Sequence, residues 1–127
     1  MAAHIETVLL VDDDEDVRAI LELCLGPVWP LLIAGNGRDA LLIAERERPS
    51  IALVDLCMPG MDGLALLRAL RRREATASLP VIFLTAAIQP DEVAHYRALG
   101  ALGVIPKPFR PFELPTLMRR MIQEVLA

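Results

Sequence analysis

The 127-residue sequence predicts one α/β domain, in which a parallel sheet of five strands carries helices on both faces. Two observations lead to this prediction. Five short, continuously apolar runs alternate along the chain with longer segments whose apolar residues recur every three or four positions. Apolar residues also make up 54% of the chain, which is enough to fill a core on each face of such a sheet. The length is close to the commonest domain size, so residues 1–127 are expected to form a single domain.

The five apolar runs are predicted to be the strands. None of them alternates polar with apolar residues, and this continuity is typical of strands that are buried on both faces. The runs are residues 7–11, 31–34, 51–54, 81–84 and 102–105.

The segments between the runs are predicted to be helices. In the first and the last of them, apolar residues fall at the spacing of one helix face. These residues are Val17, Ile20, Leu21, Cys24 and Leu25 in the first segment, and Leu114, Leu117, Met118, Met121, Ile122 and Val125 in the last. Pro111 and Pro115 lie near the start of the last helix, and the second of them should shift or distort that start.

The positions of proline predict the order of the strands. Proline is tolerated in an edge strand or at the start of a strand, but not within a central strand. Pro30 directly precedes the second run, Pro80 opens the fourth and Pro106 follows the fifth, whereas the first and third runs contain none. We therefore expect strands two and five at the edges, in the order 2-1-3-4-5 of the flavodoxin-like, doubly wound fold.

Charge and composition exclude several classes of protein. The net charge of −4 argues against a nucleic-acid-binding surface, which needs a basic face, and the arginines at 71–73 are predicted to end a helix. Cys24 and Cys57 lack the spacing of metal ligands. The first residues do not have the pattern of a signal peptide, and no run reaches the roughly 18 apolar residues of a membrane span. We expect a reduced, cytoplasmic protein that binds neither nucleic acid nor a membrane.

Polar side chains follow four of the predicted strands. Asp12 and Asp13 follow the first strand, Asp55 the third, Thr85 the fourth and Lys107 the fifth. Because a doubly wound sheet binds its ligands at the carboxyl ends of the strands, we expect these side chains to lie close together.

Three carboxylates at one edge of a sheet repel each other unless a cation lies between them. Lys107 supplies one positive charge; it is the only lysine among the 13 basic residues, and its compact ammonium suits a crowded anionic site. Oxygen ligands without histidine or thiolate favour Mg²⁺ as a second cation. We expect Asp13 and Asp55 to bind Mg²⁺ directly and Asp12 to bind it through a coordinated water.

An acidic site with Mg²⁺, a lysine and a threonine hydroxyl suits phosphoryl transfer, which needs mainly positioning and charge neutralisation. An aspartate can itself be the nucleophile. Asp55 is the best candidate, because it ends a central strand and opens a loop, residues 56–63, whose glycines and proline fix a tight path. Thr85 and Lys107 would then bind phosphate oxygens.

Together these motifs resemble the receiver domain of the response regulators of two-component signalling, and the resemblance covers essentially the whole chain. Each short match is weak alone, but the four occur in order and at suitable spacing. They are Val11-Asp12-Asp13, the loop from Asp55 to Gly63, Thr85-Ala86 and Lys107-Pro108-Phe109.

The resemblance implies Mg²⁺-dependent phosphorylation of Asp55 by a phosphohistidine on a histidine kinase or phosphotransfer protein. It also implies that Cys57 offers its backbone carbonyl to the metal and that the peptide between Lys107 and Pro108 is cis. A downstream protein would bind the fourth helix, fifth strand and fifth helix. Such a phosphoacceptor acts only on itself and is not an enzyme with a separate substrate.

Two departures from the family pattern affect what we expect of switching and phosphate lifetime. Val104 stands where the family usually has an aromatic residue that moves with the threonine, so we expect Thr85 to move toward the phosphate while a helix or loop shift alters the output surface. Cys57 and Ala87 line the approach of an attacking water but offer no carboxylate or amide to orient it. We therefore expect slow to moderate self-dephosphorylation.

Two other functions remain open. A haloacid-dehalogenase-like phosphohydrolase would use Asp12 as its nucleophile, with Asp14 completing an Asp-x-Asp motif, but would leave the Asp55 loop unexplained. A degenerate receiver would bind partners without phosphorylation, although its acidic, hydroxyl and lysine positions are intact. The 127 residues contain no DNA-binding or enzymatic motif beside the receiver motifs. The chain can therefore be a stand-alone receiver or one domain of a larger regulator or hybrid kinase.

Overall fold

A computed structural model describes residues 4–86 and 89–126. Within these ranges the chain forms one parallel sheet of five strands in the order β2-β1-β3-β4-β5, which confirms the predicted topology. The edge strands are β2 and β5, as the prolines indicated. The strands are β1 (Val8–Val11), β2 (Leu31–Ala34), β3 (Ile51–Asp55), β4 (Val81–Ala86) and β5 (Gly103–Lys107).

Helices connect successive strands and follow the last one. They are α1 (Glu15–Leu25), α2 (Gly37–Glu47), α3 (Gly63–Arg71), α4 (Pro90–Ala98) and α5 (Leu114–Leu126). The start of α5 is shifted, as expected. A 3₁₀ turn at Pro111–Glu113 precedes it, and α5 begins at Leu114, so that Pro115 lies in its first turn, where proline is tolerated. The arginines at 71–73 end α3, also as expected.

Side-chain caps begin three of the helices. The Asp14 carboxylate accepts hydrogen bonds from two backbone N–H groups of the first turn of α1. Asn36 and Asp62 accept in the same way at the starts of α2 and α3, each at 2.8 Å. These caps stabilise the short loops that lead from β1, β2 and β3 into their helices, and therefore hold the edge of the sheet where the acidic residues lie.

The strands alternate their side chains between two cores. In β1, Val8 and Leu10 face the core beneath α1 and α5, and Leu9 and Val11 face the core beneath α2 and α3. Cys24 and Trp29 are buried in the first core, and Cys24 lies on the apolar helix face that its spacing predicted.

Helix α4 is attached more weakly than the others. Among its residues none is fully buried. Its Tyr96 ring packs edge-on against Phe83 of β4, with ring centroids 5.7 Å apart. In the part of the chain that is described, no helix has both the length and the hydropathy needed to cross a membrane. Ala87, which we expected to line the path of an attacking water, lies outside the described residues.

Candidate functional site

The carboxyl ends of β1, β3 and β5 bring together three charged residues that are far apart in the sequence. Lys107 Nζ lies 3.5 Å from Oδ1 of Asp55 and 3.7 Å from Oδ2 of Asp12. Asp55 and Lys107 are the last residues of their strands, whereas we expected both just beyond the strand ends. The predicted grouping of these residues is therefore correct, and only the strand ends differ.

Asp13 joins Asp12 and Asp55 in an acidic cluster. Each of the three offers a carboxylate oxygen, and these oxygens all lie within 4.8 Å of one another. Asp12 and Asp55 are buried and Asp13 is exposed. Oxygens on opposite sides of a Mg²⁺ ion lie about 4.2 Å apart, given metal–oxygen distances of about 2.1 Å, so the carboxylates need only small shifts to share one such cation, directly or through a bound water.

The two buried carboxylates carry more negative charge than their surroundings compensate. Burial is the main cause that raises the pKa of Asp12 and of Asp55 above the ordinary value. The charge of Asp12 raises the pKa of Asp55 further, and Lys107 lowers both values only in part. One ammonium therefore does not fully balance the two carboxylates, and a second cation would favour their charged forms.

One oxygen of Asp12 points to the same conclusion. Its Oδ1 accepts a hydrogen bond from the backbone N–H of Asp14 at 2.9 Å. Its Oδ2 is buried and accepts no hydrogen bond among the described residues; its one cationic neighbour there is the Lys107 ammonium, at the 3.7 Å of a long ion pair. Leaving a buried acceptor without a partner costs free energy, which a metal ion or a metal-bound water would recover. The donor set and this oxygen, without a hydrogen bond in the described part of the chain, both fit Mg²⁺.

The loop that follows Asp55 folds back and contacts both the side chain and the backbone of Asp55. The backbone N–H of Cys57 donates to Asp55 Oδ1 at 3.3 Å, and that of Gly63 donates to the carbonyl of Leu56 at 3.0 Å. A Cβ atom at Gly63 would lie 2.7 Å from the backbone oxygen of Asp55, so this close approach requires glycine. The loop therefore fixes the Asp55 backbone, while the role of the Cys57 carbonyl as a metal ligand stays a prediction.

Thr85 lies within β4 rather than after it, and it is buried. Its hydroxyl donates to the carbonyl of Ala86 at 3.4 Å, which is long for a bond between oxygens. This hydroxyl can therefore exchange its partner for a better acceptor at little cost. Next to Lys107, the peptide to Pro108 is cis, as the resemblance implied.

Val104 packs, half-buried, against the core beneath α2 and α3. The position where the family usually has an aromatic residue is thus filled by a short aliphatic side chain. The expected movement of Thr85 and of the output surface stays a prediction.

Arg18 belongs to this site although the sequence analysis did not single it out. From the first turn of α1 its Nη1 donates to the backbone carbonyl of Asp12 at 2.8 Å. Helical side chains tilt toward the N-terminus, so an arginine in the turn after the acidic pair can reach back to it. That position was a usable signal, but spacing alone could not distinguish this contact from a solvated arginine.

Comparison with known proteins gives one consistent family. The family model described as "Response regulator receiver domain" matches residues 8–119. A curated relative from Porphyridium aerugineum, "Probable transcriptional regulator ycf27", is 35% identical over 121 residues, which are 94% of this chain and 49% of the relative. "DNA-binding transcriptional regulator NtrC" from Salmonella typhimurium is 38% identical over 116 residues, 91% of this chain and 24% of the relative. The chain thus spans about half, or less, of the length of these relatives.

Solved structures agree with the sequence relatives. The chemotaxis response regulator CheY4 of Vibrio cholerae superposes with a TM-score of 0.85 at 29% identity, covering 93% of this chain and 99% of that one. The signal receiver domain of a signal transduction histidine kinase from Syntrophus aciditrophicus gives a TM-score of 0.80 at 29% identity, covering 96% and 93%.

Proposed function

The chain belongs to the response regulator receiver domain family, and on that premise we propose that Asp55 is the residue that accepts the phosphoryl group. Receiver domains are signalling phosphoacceptors rather than enzymes with a separate substrate, so family membership argues against the hydrolase alternative. The observation that carries the choice of Asp55 is its position. It ends the central strand β3 within the acidic cluster, with the Lys107 ammonium 3.5 Å from its carboxylate.

The same cluster supports a magnesium site. We propose Asp13 and Asp55 as direct ligands, Asp12 as a ligand through water, and the backbone carbonyl of Cys57 as a further ligand. Mg²⁺, when bound, neutralises carboxylate and phosphoryl charge during transfer. The Oδ2 of Asp12, which accepts no hydrogen bond from the described residues, and the raised pKa of both buried aspartates support this assignment.

The transfer step needs no further base. A carboxylate oxygen of Asp55 attacks the phosphorus of a phosphohistidine whose other ring nitrogen carries a proton. The P–N bond breaks, its electron pair stays on nitrogen, and neutral imidazole leaves as the acyl phosphate forms. Lys107 neutralises charge, first on the Asp55 carboxylate and then on the phosphoryl oxygens. Thr85 gives up its long bond to Ala86 and donates its hydroxyl to one of those oxygens.

We propose a histidine kinase or a histidine phosphotransfer protein as the donor, and a downstream protein that binds the surface of α4, β5 and α5. The absence of any fully buried residue in α4 supports this output surface, because a helix without a core anchor can shift when Thr85 moves. Cys24 and Cys57 are free thiols, which suits a reduced, cytoplasmic setting. We propose that residues 1–127 form one receiver domain.

A chemical trapping experiment tests the assignment of Asp55. The protein is incubated with acetyl phosphate and MgCl₂, the acyl phosphate is reduced with borohydride, and the modified residue is mapped by mass spectrometry. We expect modification of Asp55 and none in Asp55→Asn. The matched control is Asp62→Asn, which keeps a cap on α3 and should be modified like the wild type.

Other outcomes would overturn the proposal. Modification of Asp12, with continuing release of phosphate, would indicate the phosphohydrolase alternative. No modification of any residue would indicate a receiver that binds its partners without phosphorylation.

A further inference from the structure

Arg18 makes a short contact with the backbone at the acidic cluster of Asp12, Asp13 and Asp55. Its Nη1 donates to the Asp12 carbonyl oxygen at 2.8 Å, and only 20% of its side chain is exposed. Its other recorded partner is the carboxylate of Glu15, at 3.9 Å, and the Glu15 side chain is 89% exposed. An exposed pair at that distance contributes little, so the carbonyl is the partner that holds this guanidinium in place.

The next loop encloses the guanidinium from a second side. A Cβ atom at Gly35, directly after β2, would lie 2.8 Å from Arg18 Nη1. Gly35 does not have a positive φ, so its backbone conformation does not require glycine. Glycine is needed here because Arg18 occupies the space that a side chain at residue 35 would fill. Arg18 is thus packed between the ends of β1 and β2.

The carbonyl that Arg18 contacts belongs to the peptide between Asp12 and Asp13. A peptide unit is planar, so a donor fixed on its oxygen sets the rotation of the whole unit and the direction in which the next side chain leaves the backbone. The backbone before it is held by the bond from Asp12 N–H to Ala34 O at 3.2 Å. Among the described residues, the Asp13 carboxylate accepts no hydrogen bond, so the backbone sets the direction of its Cα–Cβ bond and no side-chain contact opposes that direction.

We propose that Arg18 is a positioning residue for the magnesium site, because it fixes the Asp12–Asp13 peptide and thereby directs the Asp13 carboxylate toward the ion. This inference rests on the proposed function, since it takes Mg²⁺ as the bound ion. Arg18 makes no ion pair with a carboxylate of the cluster among the described residues, and it acts through the backbone.

Magnesium affinity gives a test in which charge and positioning predict opposite results. MgCl₂ is titrated into the wild type and Arg18→Met, and backbone amide shifts measured by NMR give the dissociation constant. Loss of a positive charge alone would tighten the binding of a divalent cation. We expect instead that the dissociation constant rises roughly tenfold, as is typical when a residue that orients a metal ligand is removed.

Two further variants separate the contacts of Arg18. Glu15→Gln removes the exposed ion pair and should leave the dissociation constant unchanged. Gly35→Ala keeps Arg18 but displaces its guanidinium, and should weaken magnesium binding in the same direction as Arg18→Met. Gly35→Ala also keeps the proposal testable if Arg18→Met fails to fold in circular dichroism spectra.

A double-mutant cycle tests whether Arg18 acts through Asp13. In an Asp13→Asn background, Arg18→Met should change the dissociation constant by no more than about twofold, because the ligand that Arg18 directs is already altered. The same tenfold loss in both backgrounds would overturn the proposal and leave Arg18 a general structural role.

The outcome for the wild type distinguishes failure of the proposed function from failure of the proposed role of Arg18. A wild type that binds no Mg²⁺ and is not modified at Asp55 would contradict the proposed function itself. Normal binding by the wild type, with an unchanged or lower dissociation constant in Arg18→Met, would contradict only the role of Arg18.

Discussion

Lys107 Nζ lies 3.5 Å from Oδ1 of Asp55, and the two residues are the terminal residues of β5 and β3. Strand β4 lies between these strands, so the contact links β3 to the edge strand β5 across the carboxyl end of β4. A change in charge or volume at Asp55 therefore acts directly on an edge strand. This link between the proposed phosphoacceptor and the surface formed by β5 is the basis of the first prediction.

Lys107→Arg should keep the positive charge yet impair switching. The planar guanidinium is larger than an ammonium and cannot occupy the same compact position between Asp12 and Asp55. We expect Asp55 still to accept the phosphoryl group from acetyl phosphate, while the phosphorylation-dependent shifts of α4 and β5 amides in NMR spectra become much smaller than in the wild type. A response equal to the wild type would show that any cation suffices at residue 107.

Asp12→Asn should stabilise the metal-free protein at neutral pH. Burial raises the pKa of Asp12 in the folded state, so the folded state binds more protons than the unfolded state between the ordinary pKa and the raised one. The free energy of unfolding therefore falls as pH rises through that window, and the full cost is present above it. Removing the charge should raise the free energy of unfolding by on the order of 1 kcal/mol at pH 7.

Urea unfolding in EDTA between pH 4 and pH 8 measures this effect. The stability of Asp12→Asn should depend less on pH than that of the wild type. Asp62→Asn removes an exposed carboxylate that caps α3 and should follow the wild-type profile. An Asp12→Asn protein that is less stable than the wild type at pH 7 would contradict the account of Asp12 as a costly buried charge.

Mg²⁺ should stabilise the folded protein through the acidic cluster. At a concentration ten times the dissociation constant, a ligand that binds only the folded state contributes about 1.4 kcal/mol. We expect this gain for the wild type in urea unfolding with MgCl₂, and little of it for Asp55→Asn, which removes a charged ligand. An equal gain in both proteins would place the ion outside the cluster.

Gly63→Ala should disturb Asp55 more than the small size of the added methyl group suggests. The added Cβ would meet the backbone of Asp55 and Leu56 at 2.7 and 2.9 Å, and backbone atoms cannot move aside as a flexible side chain can. We expect a loss of about 1–3 kcal/mol in stability and a slower modification of Asp55 by acetyl phosphate.

Gly60→Ala is the matched control for this prediction. Gly60 has a φ of 74°, but no atom lies within 4 Å of the added Cβ. Its cost should be backbone strain of about 1–2 kcal/mol, with little effect on the rate at which Asp55 is modified. If both glycine variants slowed the modification equally, loop strain rather than contact with Asp55 would explain the result.

The sequence predicted the sheet order and the acidic cluster because both depend on strong local signals. Pro30 and Pro106 restrict where their strands can lie, and the short apolar runs end at residues that a parallel sheet must bring together. The strand ends were placed too early at Asp55, Thr85 and Lys107. These residues interrupt the apolar pattern, but their backbones continue the ladder of the sheet.

Other features of the site depend on distances that no sequence pattern encodes. Asp12 Oδ2 accepts no hydrogen bond within the described ranges because the end of β1 is deeply buried. Arg18 packs against Gly35 because the start of α1 and the loop after β2 lie side by side. Gly35 is 17 residues from Arg18 in sequence, so nothing local indicates that one leaves space for the other.

The weak attachment of α4 has a thermodynamic consequence for the switch. A helix with no fully buried residue loses few core interactions when it moves, so its alternative positions should differ little in free energy. We expect such positions to interconvert before any phosphoryl group arrives. Phosphorylation then changes the proportion of molecules in each position, and a difference of 1.4 kcal/mol in its interaction with the two positions changes that proportion about tenfold.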